Sequence, residues 1–174
     1  MGSQSLFETR TAHFSPCRKY RYWLRIVWDP SRPLLVVCGL NPSTADEEKD
    51  DPTMRRVKGF SRDMGRGGVL MLNAFAWRST DPAGLEDCDD PVGPENTVDN
   101  LAGWIMEAGA EVAVAAWGSK LRSRRPLRFR LAELGSLRWD CFRRTKQGDP
   151  EHPLYLPKEL RPAPWNYLKS GGDQ

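Results

Sequence analysis

The sequence predicts an α/β domain built on a central, mostly parallel β-sheet, and three observations carry that expectation. LLVVCGL (34–40), VLMLN (69–73) and EVAVAA (111–116) are apolar runs of strand length, as strands buried on both faces require. Segments with helical spacing and caps separate them, so the element types alternate. Each run ends in a polar residue or a turn, which puts chemistry at the carboxyl ends of the strands.

The elements follow in order. RYWLRIVW (21–28) has the residue types of a half-exposed strand, and DPSRP turns the chain into the buried run at 34–40. DPTMRRVKGFSRDMG (51–65) reads as a helix with Asp51 as N-cap, Pro52 at its first position and Gly65 near its end. GGVLMLNAFAW (67–77) is the second buried strand, and a loop rich in Asp, Pro and Gly runs from 79 to 95. NTVDNLAGWIMEAG (96–109) is helical, AEVAVAAWG (110–118) is the third buried strand and 119–134 form another helix. LRWDCF (137–142) is a fourth strand, followed by the proline-rich EHPLYLPKELRPAPW (151–165). At 174 residues the chain holds one well-buried core and is short for two, so a single domain is expected over 1–174. Its ordered core is expected over roughly 18–166, with frayed ends.

Composition limits the function. No run approaches the roughly 20 apolar residues that span a bilayer, and MGSQSLFETR lacks the apolar centre of a secretory signal, so a soluble cytoplasmic protein is expected, without a membrane partner. Cys17, Cys38, Cys88 and Cys141 are scattered and only two histidines accompany them, which argues against a metal site or other cofactor. Residues 45–107 hold 7 Lys/Arg against 14 Asp/Glu, whereas 115–161 hold 12 against 5. Arg122, Arg124, Arg125, Arg128, Arg130, Arg143, Arg144 and Lys146 in the later stretch suit either a polyanion or a solvated face of mixed charge. The acidic run ADEEKDD (45–51) offers Asp46, Glu47, Asp50 and Asp51 to Mg²⁺, or is a solvated loop with Asp51 capping the helix.

The strand-end rule selects GLNPST, LNAFAWRSTDP and WGSK, with EHPLYLP as a fourth polar site. Asn41 is offered by a Gly-Leu-Asn-Pro turn. Its amide oxygen suits the holding of a water, and a turn asparagine bonding its own backbone is the simpler alternative. Asn73 places a donor and an acceptor side by side, matching the edge of a flipped pyrimidine, or else satisfies loop backbone groups. Phe60, Phe75 and Trp77 are candidates to stack on a base, although strand-end aromatics are more often core. His152, between Pro150 and Pro153, suits a donor to an anion or is an ordinary loop histidine.

LNPSTAD, DDPTMRR, DPVGPEN, AAWG and HPLYLP together resemble a bacterial domain family, number 1643 among domains of unknown function, over about residues 20–165. The order GLNP, LMLNAF, VAAWG, HPLYL is also similar to that of the uracil-DNA glycosylase superfamily, in its mismatch-specific branch. This second resemblance implies a three-layer fold of that type. It further implies a base-excising hydrolase in DNA repair that acts on DNA, single- or double-stranded, or on a nucleoside or nucleotide. Asn41 and His152 would then be catalytic, and Asn73 would read the base with Phe60, Phe75, Trp77 and Tyr155 around it. Leu156 would be the wedge that enters the duplex, and Ser43, Lys158, Arg161, Arg122, Arg124 and Arg125 would meet DNA. Nothing in the sequence calls for an obligatory protein partner. A non-catalytic binder of nucleic acid or nucleotides with the same pocket is the other class that the residues admit.

Overall fold

The computed structural model describes residues 7–43, 48–120 and 127–166. One seven-stranded sheet runs through the molecule. Its strands are β1 (Thr9–Phe14), β2 (Arg21–Val27), β3 (Leu35–Gly39), β4 (Gly68–Asn73), β5 (Ala113–Ala115), β6 (Trp139–Cys141) and β7 (Ala163–Trp165). They lie side by side in the order β1-β2-β4-β3-β5-β6-β7. The helices are α1 (Pro52–Asp63), α2 (Val98–Glu107) and α3 (Arg128–Leu134).

The sheet is mixed, which corrects the mostly parallel expectation. β4, β3, β5 and β6 form a parallel centre, whereas β1, β2 and β7 join antiparallel to a neighbour. β1 escapes a sequence reading because TRTAHF is a partly exposed edge strand of mixed polarity. In β7, Pro164 lacks the N–H of a ladder residue and is tolerated because the strand is an edge.

Side-chain alternation explains the packing on the two faces. Leu35 and Val37 point to one side, where Met54, Val57 and Phe60 of α1 meet them. Val36 and Cys38 point to the other, against Leu101 and Ile105 of α2 and Leu131 and Leu134 of α3. Each such large apolar side chain contributes roughly 1.5–3 kcal/mol when buried. The chain passes from β3 through α1 to β4, then back past β3 through α2 to β5, so crossovers of one hand set these helices on opposite faces. β3 therefore stands at the point where the winding reverses, and its carboxyl end opens a crevice.

α1 begins as its sequence dictates: Asp51 accepts the Met54 N–H at 2.7 Å, and Pro52 takes the first turn, where a missing N–H costs nothing. It ends at Gly65, whose φ of +66° lets Arg66 N–H return to the Ser61 carbonyl. Among the described residues no helix is long and apolar enough to cross a membrane.

Candidate functional site

The crevice is a cavity of about 440 Å³ at the carboxyl ends of β3, β4 and β5. Its described lining brings together Asn41, Asn73 and His152, which are spread over more than a hundred residues of sequence, with Ser43 at the same wall.

Asn73 ends β4 and faces Gly39 of β3 in register. A Cβ on Gly39 would come within 3.0 Å of Met71 Cε and 3.4 Å of Asn73 Oδ1, so glycine leaves the room in which this amide sits. Asn73 is only 3% exposed, and its Nδ2 is buried with no hydrogen-bond partner among the described residues. An amide left in that state costs about 1–3 kcal/mol.

A buried network fixes the backbone behind it. Asn96 Nδ2 donates to the carbonyls of Asn73 (3.1 Å) and Ala74 (3.2 Å). Arg130, 1% exposed, donates from Nε to the Ala74 carbonyl (2.7 Å), from Nη2 to the Asn96 carbonyl (2.6 Å) and from Nη1 to Glu133 (2.9 Å). Sequence reasoning placed Arg130 among the cations for a polyanion. Its guanidinium instead holds the end of β4.

Asn41 donates from Nδ2 to the carbonyls of Ser79 (2.9 Å) and Pro42 (3.2 Å), while Ser79 N–H donates back to the Pro42 carbonyl (3.0 Å). This clasp locks the Asn-Pro turn against the loop after β4 and commits the amide nitrogen. His152 caps a short helical turn, Pro153–Tyr155, with Nδ1 accepting the Leu154 N–H at 3.3 Å. In the neutral ring the proton is then on Nε2, which remains a donor. His152 is exposed overall, and partial desolvation of its ring pushes the imidazole below its ordinary pKa; Lys120 adds to that, while Asp51 opposes it. The loop is seated by Gly118, whose φ of +72° aims its N–H at the Pro150 carbonyl (2.9 Å).

The aromatic wall is Trp117, 3% exposed and packed edge-on against Trp139 and Trp165. The expected rings lie elsewhere. Phe60 is stacked on Phe142 at 4.2 Å in the core under α1, and Phe75 is fully buried in the opposite core. Phe60 points inward on the apolar face of α1, and Phe75, two residues past the end of β4, is packed into the core by the surrounding chain. Trp77 packs on Tyr20 outside the cavity lining, and Tyr155 is 88% exposed beyond it. Leu156 is 1% exposed in the core and presents nothing to a duplex, which removes its wedge role.

Lys158 and Arg161 are exposed, with Arg161 Nη1 turned back to the Lys158 and Leu160 carbonyls. Arg143 is bound to Glu151 at 2.6 and 3.0 Å, and Arg144 donates to the Pro164 carbonyl. Arg122, Arg124 and Arg125, like Asp46 and Glu47, lie outside the described residues. Asp50 holds Arg10 and Lys58 in ion pairs at 2.6 and 2.7 Å, and Asp51, besides capping α1, lines the cavity.

Arg21 and Trp117 also line the cavity, and neither was a sequence candidate. For Trp117 the signal was present, since it follows the third apolar run where the strand-end rule applies. Arg21 offered none, because an arginine opening a half-exposed strand ordinarily faces water. A second cavity of about 450 Å³ opens at the amino ends of β3 and β5, lined by residues that include Leu34, Arg66, Glu111 and Asp140; burial pushes the Asp140 carboxyl up.

No curated protein and no solved structure matches the chain. One family does, over residues 21–154, a span that takes in β2 through His152 and so every described element of the cavity wall. The chain belongs to the family described as "Protein of unknown function (DUF1643)".

Proposed function

We propose that the protein is a DNA-glycosylase-like hydrolase that takes one modified, uracil-like base into the carboxyl-end cavity and cleaves its N-glycosidic bond, in the manner of the uracil-DNA glycosylase superfamily. The reading rests on the pocket rather than on kinship, since no comparison ties the chain to that superfamily. The observation that carries it is the buried Asn73 Nδ2 without a partner among the described residues. Several buried polar atoms lack a partner among the described residues, and Asn73 Nδ2 belongs to a residue that borders the cavity, where a ligand can complete it; a primary amide completes the donor–acceptor edge of a pyrimidine.

Around this edge Trp117 supplies an apolar wall and His152 Nε2–H a donor for charge that develops on the leaving base. In the reaction a water oxygen bonds to the sugar C1′ as the C1′–N bond breaks, and its electron pair leaves with the base. The water's proton passes to solvent or to Asp51, and the departing base is protonated in turn. Asn41 Oδ1 and Asp51, both in the lining, are placed to orient that water.

One observation favours the second reading, a non-catalytic binder of a base or nucleotide: Asn41 Nδ2 and Asp51 Oδ1 are both held by backbone groups, so neither is a dedicated base. An abasic-site assay on oligonucleotides carrying uracil, hypoxanthine, xanthine or modified pyrimidines, with the matching free nucleosides alongside, separates the two. Excision that falls at least about tenfold in Asn73→Ala supports the hydrolase. Binding without cleavage across the whole panel leaves the binder, and neither binding nor cleavage ends both.

A further inference from the structure

We propose that the second cavity, at the amino ends of β3 and β5, binds a small zwitterion with an aliphatic body, as a free amino acid or a short peptide presents, its carboxylate on Arg66 and its ammonium on Asp140. The inference is independent of the base-binding reading.

The cavity measures about 450 Å³, within the roughly 300–1,000 Å³ of small-ligand sites. Leu35, Met64, Val112 and Val114 contribute apolar wall, and Arg66, Glu111 and Asp140 are the charged members of the described lining. Arg66 is held at both ends of its backbone, since its N–H donates to the Ser61 carbonyl at 2.9 Å and its carbonyl accepts the Trp28 Nε1–H at 3.0 Å. Its side chain therefore starts from a fixed point. The Nε is buried without a hydrogen-bond partner, and nothing among the described residues engages the rest of the guanidinium.

Asp140 is fixed as firmly, because its backbone lies in the ladder between Val114 of β5 and Pro164 of β7. Among the described residues its half-buried carboxyl accepts no hydrogen bond and joins no ion pair. Burial pushes this carboxyl up, and Arg138 opposes the shift without pairing with it. A counter-ion is what the group lacks.

Opposite charges within reach of each other in a partly desolvated space pair, yet Arg66 and Asp140 line one cavity and do not. A ligand that carries the complement of each satisfies both. A guanidinium fork takes a carboxylate through two parallel bonds, and an ammonium offers three donors to a carboxylate. A ligand with only a negative group would satisfy Arg66 and be repelled by Asp140 and Glu111, whereas a simple amine would meet the reverse. Glu111 is exposed, so water weakens its pull on the ammonium.

The test is titration calorimetry on the full chain at neutral pH with leucine, leucyl-leucine, 4-methylpentanoate, which is leucine without its ammonium, and isopentylamine, which is leucine without its carboxylate. One of the two zwitterions should bind about tenfold or more tightly than either singly charged analogue, and whichever binds better identifies the free amino acid or the peptide as the source. Arg66→Met and Asp140→Asn, each checked for native circular dichroism, should weaken that zwitterion about tenfold or more. Asp140→Asn should not weaken 4-methylpentanoate, and Arg66→Met should not weaken isopentylamine. In Asn73→Ala the zwitterion should bind as it does to wild type. The proposal is overturned if neither zwitterion binds wild type, if 4-methylpentanoate binds as well as the zwitterion, or if either folded charge variant binds it undiminished. Loss of binding in Asn73→Ala also overturns it, by moving the ligand to the carboxyl-end cavity. If Arg66→Met does not fold, Asp140→Asn and the wild-type ranking decide.

Discussion

Two buried asparagines are in contact, and their Nδ2 groups are used differently. Asn96, wholly buried, spends its Nδ2 on the carbonyls of Asn73 and Ala74 and has its backbone carbonyl held by Arg130, while its Oδ1 has no partner among the described residues. Asn73, almost as buried, finds no protein partner for its Nδ2 among the described residues. The sequence shows both as an asparagine beside a loop. What distinguishes them is the wall each one faces: Asn96 faces backbone, and Asn73 faces the space that Gly39 leaves. One amide holds the structure together, and the other is held ready by it.

The strongest way to break this contrast is to remove the group behind both. Arg130→Met takes a charged donor from two buried carbonyls and leaves that of Asn96 without its partner, while Ala74 keeps the Asn96 amide, and chemical denaturation should show a loss of about 3 kcal/mol or more. Asn96→Ala removes two neutral bonds to the same strand end, with an expected loss of about 1–3 kcal/mol. Asn73→Ala should change stability by no more than about 0.5 kcal/mol, or raise it, because the deleted amide satisfies nothing and already borders open space. If Asn73→Ala costs as much as Asn96→Ala, the amide is structural and the proposed site loses its anchor. Asp140→Asn, in the second cavity, should leave base binding unaltered when measured by titration calorimetry.

The smallest expected effect concerns pH. His152 has its folded pKa below the ordinary value, so the unfolded chain binds this proton more readily. The stability it contributes is present above the usual histidine range and is lost as pH falls through that range towards the folded value. His152→Gln should flatten that part of the stability-versus-pH curve, and an identical slope in wild type and variant would show that the ring titrates freely.

Much of the centre of the fold was legible. The apolar runs at 34–40, 69–73 and 111–116 contain β3, β4 and β5, because strands covered on both faces need apolar residues at every position. α1 was legible to its cap, since Asp51-Pro52 and Gly65 have local reasons to be where they are. β1 and β7 were not, and strand direction at the edges was not, because an exposed edge imposes no pattern and pairing direction leaves no mark on composition. The meeting of Asn41 and Asn73 followed from the strand-end rule, whereas His152, eleven residues past the end of β6, was joined to them only by the motif order that carries the resemblance. The aromatic wall did not: Phe60 obeys the period of its helix, whereas Phe75 and Trp117 both lie past the ends of strands where no period applies, and only packing with distant chain decides which of them borders the cavity. Arg21 was hidden for a related reason, as burial of a charge depends on distant chain that local sequence does not describe.

The two borders of the sheet are unlike, and this bears on assembly. β1 has a hydrogen-bonding side that no described strand occupies, whereas the strand at the far border carries Pro164, with Pro162 just before it. Prolines disfavour strand addition at the second border. Were two molecules to join through β1, a proline-bearing border would stand at either end of the doubled sheet, and edge-to-edge growth would stop there.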